Sequence, residues 1–347
     1  MKIIGLDIGG ANTDCTIINI KNNEIKSMKN YREYFPMWKE KDKLNRCFEK
    51  LTRNDADIEV VCVSMTAELA DGYESKKEGV KDISQKVMEY FKEKEVYFVT
   101  FEGLKTYSEL KNNYLTAAAA NWIGTAEIIK YIEKDCIFMD IGSTTTDIIP
   151  IKNKKEIALG HTDLERLSSG ELIYTGMLRT NLAAIVHNVP INNKNTRVSS
   201  ELFSITADIH RILGNITEKE YTCNTPDGNK KDLISCKRRL ARLVCADLDT
   251  LKDEEIIKLA KHIESEQIKQ IFNGLKEVVE RSKINTVLIT SLGNGNLCEK
   301  AAKKLKLNVI SLEQYMNKKS TNVLTSVGAI QMYLDKINSG IVLIKKV

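Results

Sequence analysis

The chain carries one eight-residue pattern twice, as Asp7-Ile8-Gly9-Gly10-Ala11-Asn12-Thr13-Asp14 and as Asp140-Ile141-Gly142-Ser143-Thr144-Thr145-Thr146-Asp147. The two copies agree at five of eight positions, and each follows an apolar strand-forming run and leads into another. Glycine lets the backbone turn tightly, so that its N–H groups approach a bound anion, and hydroxyl groups add further donors. One copy alone would be typical of a simple hairpin turn. The repeat in the same strand context predicts a duplicated phosphate-binding hairpin.

The residue types of the two hairpins predict how each would hold a phosphate group. The leading acids, Asp7 and Asp140, are predicted to bind Mg²⁺ directly or through water. The residues predicted to contact phosphate oxygens are Gly9, Gly10, Asn12, Thr13, Gly142, Ser143, Thr144 and Thr145. Two such hairpins facing each other across a cleft would hold a di- or triphosphate from both sides.

The segments around the hairpins predict a mixed α/β chain with an internal duplication. The predicted strands are 2–8, 13–20, a third strand from residue 24, 58–65, 96–100, 136–141, 146–151, 156–160, 286–290 and 308–312. The predicted helices are 37–52, 84–94, 115–132, several within 164–283, and 321–337. The expected lobes are residues 1–135, closed by 328–347, and residues 136–327 with a helical insertion.

Composition limits the class of protein. A chain of 347 residues is long enough for two packed domains, and its 42% hydrophobic and 29% charged residues are ordinary for a globular protein. The net charge of +5 is small and the basic residues are scattered, which suits an anionic small molecule or mere solubility and predicts no nucleic-acid binding. No C-x-x-C pair, no signal-peptide core and no apolar run of ~20 residues is present, so we expect a reduced cytoplasmic protein without membrane contact. A homo-oligomer stays open.

Three acidic residues outside the hairpins are candidate catalytic groups. Glu68 and Asp71 follow the predicted strand that ends at Met65, and ligands of open α/β sheets gather beyond the carboxyl ends of strands. The alternative is that Thr66 caps a helix and Glu68 complements its positive end. Asp208 is the third candidate, on a predicted helix.

Glu171 and Arg179 are candidate substrate contacts. Ser168 and Glu171 have the spacing of a capping box, which is the alternative role for Glu171. Arg179, like Tyr174, would lie on the helix that this box begins.

Three further charged residues are candidate substrate contacts. Asp227 lies in the strong turn signal Pro226-Asp227-Gly228. Arg238 and Arg242, four residues apart, share a helix face that suits a diphosphate clamp as well as a solvated basic surface.

The paired hairpins resemble those of the actin / sugar kinase / Hsp70 superfamily, whose two duplicated lobes each open with a phosphate-binding hairpin. The resemblance covers essentially the whole chain and implies two ribonuclease-H-like lobes with a cleft between them. The small residues at 117–120 and 326–329 resemble its two connecting helices. Its adenosine motif would fall at 287–295, where Gly293 is the candidate ligand contact. Because 291–295 lacks the usual adjacent glycines, ATP is not the expected ligand, although the alternative of an ATP site stays open.

Within that superfamily the chain is similar to the hydantoinase A/oxoprolinase-like branch. The segments that carry this similarity are 65–71, 170–176, 206–208, 226–228 and 239–242. The branch includes aryl-ether-forming transferases of methanofuran biosynthesis, which implies γ-glutamyltyramine and 5-(aminomethyl)-3-furanmethanol diphosphate as substrates, Mg²⁺ as cofactor and diphosphate as a product. The alternatives are an ATP-dependent kinase or hydantoinase/oxoprolinase-like hydrolase, and a non-enzymatic regulator or filament.

Overall fold

The computed structural model describes residues 1–55 and 57–344. They form two compact units, of which the second consists of Cys136–Pro150 and Leu164–Ser311. The first unit holds Met1–Asp135, Ile151–Asp163 and the C-terminal segment from Leu312. The first unit thus differs from the predicted lobe in two ways. It includes residues 151–163, and its C-terminal segment begins at Leu312 rather than at residue 328. Side-chain bonds from Asn30 to Ser320 and between Thr16 and Ser326 tie that earlier part to the first unit.

The first part of the chain builds one six-stranded sheet in the order β3-β2-β1-β4-β5-β6. Its strands are β1 Lys2–Ile8, β2 Asn12–Lys21, β3 Glu24–Tyr34, β4 Val60–Met65, β5 Glu95–Thr100 and β6 Gly103–Thr106. Its helices are α1 Met37–Glu40, α2 Leu44–Thr52, α3 Lys76–Tyr90, α4 Tyr107–Leu110 and α5 Asn121–Ile129. The strands β1, β4 and β5 are parallel, and every residue of β4 is buried, as expected for a strand covered on both faces.

The second part of the chain repeats this order as β10-β8-β7-β13-β14, with β9 beside β8. Its strands are β7 Cys136–Ile141, β8 Thr146–Lys152, β9 Lys155–Glu156, β10 Leu172–Ile173, β11 Asn188–Ile191, β12 Lys194–Arg197, β13 Thr286–Ser291 and β14 Asn308–Ser311. Its helices are α6 Asp163–Ser168, α7 Thr206–Ile212, α8 Leu233–Arg242, α9 Asp253–Ser282 and α10 Leu297–Lys304. Two more helices, α11 Lys318–Thr321 and α12 Leu324–Lys336, lie in the C-terminal segment of the first unit. Here β7, β13 and β14 are parallel.

The predicted duplication is confirmed by these two sheets. In each, the strand before the repeated hairpin is central, the strand after it is its neighbour on one side, and parallel strands follow on the other. Parallel neighbours need a crossover, and α2 and α9 lie in the longer ones. The chain is therefore an α/β protein with two actin-like units. None of the helices in the described part of the chain is long and apolar enough to cross a membrane.

The predicted helix over 115–132 is wrong in its first half. A short 3₁₀ turn ends at Ala117, α5 begins only at Asn121, and Ala119 between them has a left-handed backbone with φ of 51°. Alanine has high helix propensity, but tertiary contacts override it here. A close approach of two helices occurs just after this run, where a Cβ on Gly328 of α12 would come 1.8 Å from the Gly124 carbonyl oxygen of α5.

Two other predicted elements differ from the structure. The strand predicted at 156–160 is reduced to the two residues of β9, and the region 164–283 contains the two-stranded sheet of β11 and β12 as well as helices. The turn Asn192-Asn193 joins these strands, and both residues have positive φ, as asparagine tolerates.

Candidate active site

The first hairpin is closed by its own backbone. The Gly9 amide donates to the Asn12 carbonyl at 3.0 Å, and a Cβ on Gly9 would lie 2.8 Å from that oxygen. The Gly10 carbonyl accepts from the Met37 amide at 2.9 Å, so α1 fixes the outer side of the loop. A Cβ on Gly10 would meet nothing within 4 Å. The loop is thus held rigidly with open space at Gly10, as a phosphate group requires.

The two acids of the first hairpin lie side by side. Asp7 and Asp14 are paired across β1 and β2, and Arg32 binds Asp14 through two hydrogen bonds of 2.6 and 2.7 Å. Ser64 donates to Asp7 Oδ1 at 2.9 Å. Burial, followed by the charge of Asp14, raises the pKa of Asp7 to about 7. The ionised form of Asp7 is therefore destabilised, and a bound cation would stabilise it.

Thr13 is not available to a phosphate. It is the second residue of β2 and its side chain is fully buried. The predicted phosphate contact of Thr13 therefore does not fit the structure. Its neighbour Asn12 is exposed and stays a candidate contact.

The second hairpin has the same closure. The Gly142 amide donates to the Thr145 carbonyl at 2.9 Å. Its side chains between these ends, Ser143 and Thr144, are partly exposed, as is Asp140 at the end of β7. Ser143 and Thr144 stand where the first hairpin has Gly10 and Ala11, so the second hairpin has more side-chain donors.

A brace formed by residues 176–179 supports the second hairpin. The Met177 amide donates to the Gly142 carbonyl at 2.9 Å, and the amides of Leu178 and Arg179 donate to the Ser143 carbonyl at 3.0 Å. Gly176 packs directly on the loop, because a Cβ there would lie 2.5 Å from the Thr144 nitrogen. The carbonyls of Gly142 and Ser143 are thereby satisfied.

The capping box predicted at Ser168 and Glu171 is absent. Ser168 is the last residue of α6, and Glu171 leads into β10, which pairs with β8. Glu171 is fully buried and bonded to Ser169 at 2.9 Å and to Arg281. A substrate-binding role for Glu171 does not fit this position. Arg179 follows in an irregular segment rather than a helix, and its side chain is exposed.

Asp208 lies on α7, as predicted, but its carboxylate is already fully engaged. Its oxygens accept from Ser204 at 2.9 Å, from Tyr221 at 3.0 Å and from Arg239 at 2.7 and 2.9 Å. Asp208 and Arg239 are both inaccessible to solvent. A catalytic role for Asp208 therefore does not fit, since it is the centre of a buried ion-pair network.

The other members of this network include Asp227, which the sequence placed in a turn. Asp227 binds Arg239 at 3.1 Å and Arg242 at 3.4 Å. Arg238 and Arg242 line one surface cavity, but Asp247 and Asp249 line it too. The acids oppose the binding of an anion, so the structure does not favour the diphosphate clamp predicted for the two arginines.

Glu68 has the most perturbed environment of the three acidic candidates. It lies in a 3₁₀ turn just beyond β4 and is 1% exposed. Burial raises its pKa to about 7, partly offset by backbone hydrogen bonds that include one from the Ala119 amide. Among the described residues no donor lies within hydrogen-bonding distance of Oε2. Asp71, three residues later, is exposed.

Gly293 has a conformational role. Its φ of 72° suits glycine, and a Cβ there would lie 2.6 Å from the Asn215 carbonyl oxygen. The next residue, Asn294, donates its amide to the same oxygen at 2.7 Å. The loop 292–295 is therefore fastened to Asn215.

Sequence reasoning missed Ser64, Arg32 and the amide of Ala119. Ser64 and Arg32 lie on strands beside β1 and β2, and only the strand register brings them to the acids. The sequence offered one indication of a role for Ser64, which is that it is a polar residue inside the apolar run 60–65. In the described part of the chain no group of three or more His, Cys, Asp or Glu side chains is placed to hold a metal ion.

The sequence was compared with known families and proteins. A family model described as hydantoinase/oxoprolinase matches residues 59–329. A protein of Methanocaldococcus jannaschii named (4-{4-[2-(gamma-L-glutamylamino)ethyl]phenoxymethyl}furan-2-yl)methanamine synthase is 42% identical over 320 residues, covering 92% of this chain and 93% of that protein. A protein of the same name from Methanococcus vannielii is 39% identical over 190 residues, covering 54% of this chain and 85% of that protein.

Solved structures show the same fold at low identity. A Listeria monocytogenes protein assigned as an N-acetylmannosamine kinase has a TM-score of 0.51 at 12% identity, covering 97% of this chain and all of that one. Nucleotide-free acetone carboxylase has a TM-score of 0.51 at 10% identity, covering 94% of this chain and 69% of that one. At such identities the likeness concerns the fold and not the substrate.

Proposed function

This chain belongs to the hydantoinase/oxoprolinase family, and we propose that it catalyses the reaction for which its relatives are named, the synthesis of (4-{4-[2-(γ-L-glutamylamino)ethyl]phenoxymethyl}furan-2-yl)methanamine. The observation that carries the proposal is the 42% identity to the Methanocaldococcus jannaschii synthase along nearly the whole of both chains. The product contains a phenoxymethyl group, so the bond to be formed joins a phenol oxygen to the methylene carbon of a furan.

The proposed substrates are γ-glutamyltyramine and 5-(aminomethyl)-3-furanmethanol diphosphate. The phenol oxygen bonds to the methylene carbon while the bond from that carbon to the diphosphate oxygen breaks. The phenol proton passes to a carboxylate of the enzyme, and diphosphate leaves with the electron pair. The furan ring donates electrons to the methylene carbon, so a preorganised site that stabilises the departing negative charge lowers the barrier.

The two hairpins are the proposed phosphate-binding loops. Support comes from their shared closure, in which the amide of Gly9 or Gly142 binds the carbonyl three residues later, and from the open space at Gly10. Loops whose carbonyls are already satisfied present their remaining N–H groups to an anion without reorganising. Ser143 and Thr144 add hydroxyl donors on the second hairpin.

Mg²⁺ is the proposed cofactor, and the leading acid of each hairpin, Asp7 in the first unit and Asp140 in the second, is a proposed ligand within its own unit. The fit rests on Asp7, an oxygen ligand whose pKa is raised to about 7 by burial and by the charge of Asp14. Magnesium is commonly held by one or two carboxylates together with substrate phosphates. When bound, it would neutralise charge on the leaving diphosphate.

Glu68 is the proposed proton acceptor. Its buried Oε2 lacks a donor among the described residues, and a substrate hydroxyl would supply one. Its pKa of about 7 lies where a general base is effective at neutral pH. The other two acidic candidates are less suitable, since Asp208 is consumed by its ion pair and Asp71 is exposed.

The proposal is tested by incubating the purified protein with both substrates and Mg²⁺. We expect the ether and diphosphate to appear in a one-to-one ratio without ATP, and no product when the diphosphate is replaced by the free alcohol. If the alcohol and ATP together give a phosphorylated product while the diphosphate does not react, the kinase alternative is correct. An amide-ring substrate consumed with ATP would instead indicate the hydrolase.

A further inference from the structure

A chain of buried hydrogen bonds connects two loops of the second unit. It runs from Asn215, which fastens the loop 292–295, through His210 to Gln267, which reaches the brace beneath the second hairpin. His210 and Gln267 are fully buried. Neither residue contributes to the chemistry proposed above.

The first link joins the histidine to the glycine loop. Asn215 Nδ2 lies 2.9 Å from His210 Nδ1 and 2.6 Å from Glu264 Oε1, so its two hydrogens are both used. Lys300 of α10 binds the other oxygen of Glu264 at 3.2 Å, which fixes that side chain as an acceptor. The Asn215 carbonyl holds the loop through Asn294.

The second link joins the histidine to the hairpin. His210 Nε2 lies 3.0 Å from Gln267 Oε1. The amide nitrogen of Gln267 donates to Thr175 Oγ1 at 3.1 Å and to the Gly176 carbonyl at 2.9 Å. Gly176 in turn packs on Thr144 with no room for a Cβ.

The direction of each hydrogen bond follows from which side-chain groups can donate and which can only accept. Because Asn215 Nδ2 is a donor, His210 Nδ1 must accept, and the imidazole proton must lie on Nε2 and point at Gln267 Oε1. The ring is therefore neutral, in agreement with burial, which lowers its pKa to about 4. The two ring nitrogens of His210 and the amide groups of Gln267 thus each have one donor or acceptor assignment, and satisfied buried networks favour a single geometry.

We propose that His210 and Gln267 are positioning residues that hold the second phosphate hairpin and the loop 292–295 in one fixed arrangement. The proposal rests on the phosphate-binding role given to that hairpin above. Loosening the brace would let the Ser143 carbonyl and its neighbours move, and affinity for diphosphate would fall although no ligand contact is removed.

Two substitutions at His210 each remove one of its two hydrogen bonds. His210→Asn keeps an acceptor for Asn215 but cannot reach Gln267, whereas His210→Gln keeps a partner for Gln267 but loses Asn215. We expect amide hydrogen exchange to accelerate at 176–179 in His210→Asn and at 292–295 in His210→Gln. We expect both variants to bind inorganic diphosphate at least about 5-fold more weakly, the effect of one unsatisfied buried group.

The matched control is Leu259→Ala, on the same helix as Gln267 but in a separate apolar cluster. It should lower the melting temperature without a local change in exchange at either loop. The inference is overturned if the His210 variants change exchange uniformly, or if their diphosphate affinity falls no more than that of the control at equal melting temperature. Failure of the proposed function would look different, since wild-type protein would then bind no diphosphate while the local exchange responses remained.

Discussion

Ser64 of β4 donates a hydrogen bond of 2.9 Å to Oδ1 of Asp7 in the neighbouring strand β1. The parallel register places these two residues opposite each other. The bond orients a carboxylate that is held close to a second one, Asp14, whose charge is neutralised by Arg32. Asp7 thus has a fixed direction but, among the described residues, forms no ion pair like the one that Arg32 makes with Asp14.

Asp7→Asn should lower the turnover number for ether formation by about 100-fold or more, while the protein stays folded. The amide keeps an oxygen for Ser64 but loses the charge proposed to bind Mg²⁺. Steady-state turnover and the melting temperature measure the two effects. Ser64→Ala should give a much smaller loss, since it removes only the orienting bond. Near-normal turnover of Asp7→Asn would exclude a role in binding metal or phosphate.

The rate at low substrate concentration should fall as the pH drops below about 7. The proposed base Glu68 must be ionised to accept the phenol proton, and burial raises its pKa to about 7. We expect kcat/KM to fall about tenfold per pH unit on the acid side. Asp7 has a raised pKa in the same region, so the residual activity of Glu68→Gln, followed with sensitive product detection, decides between them. If the decrease of kcat/KM at low pH were unchanged in Glu68→Gln, that decrease would be due to Asp7.

Glu68→Gln should also stabilise the protein at alkaline pH. Because the folded-state pKa of about 7 lies above the ordinary value of 4.5, the stability contributed by the protonated form is complete below about 4.5 and is lost as the pH rises through 7. Ionisation in the folded state costs on the order of 3 kcal/mol, and glutamine avoids it. Urea denaturation should show a stability gain for the variant that is larger at pH 8 than at pH 5. Asp71→Asn, at an exposed site, should show no such difference.

Asp208→Asn should lower the free energy of unfolding by about 3 kcal/mol, because it removes the fully buried counter-charge of Arg239 and leaves it only the partly exposed Asp227. Below the melting transition, the folded fraction should retain most of its turnover. Denaturant unfolding monitored together with activity makes the comparison. A stable but inactive variant would return Asp208 to the list of catalytic groups.

The repeated hairpin sequence was enough to predict much of the architecture. A glycine-containing loop between two apolar strands forms from local preferences, and its repetition predicted two related units. The strands 2–8 and 136–141 have the predicted ends, because their apolar runs are bounded by charged residues and loop-forming glycines. The alanine run at 117–120 misled the prediction, since its helix propensity is overridden where Ala119 turns its amide toward Glu68.

For the candidate site, too, the sequence determined one part and the tertiary structure another. The sequence identified the residues of the loops and the acids beyond the strands, since these depend on neighbours along the chain. Only the tertiary structure separated their roles: it buried Thr13, enclosed Glu171 and Asp208 in ion pairs, and left Glu68 with an unsatisfied oxygen. Burial and charge pairing depend on residues that are distant in the chain and become neighbours on folding, so the local sequence around an acid does not reveal whether it meets a counter-charge or a substrate.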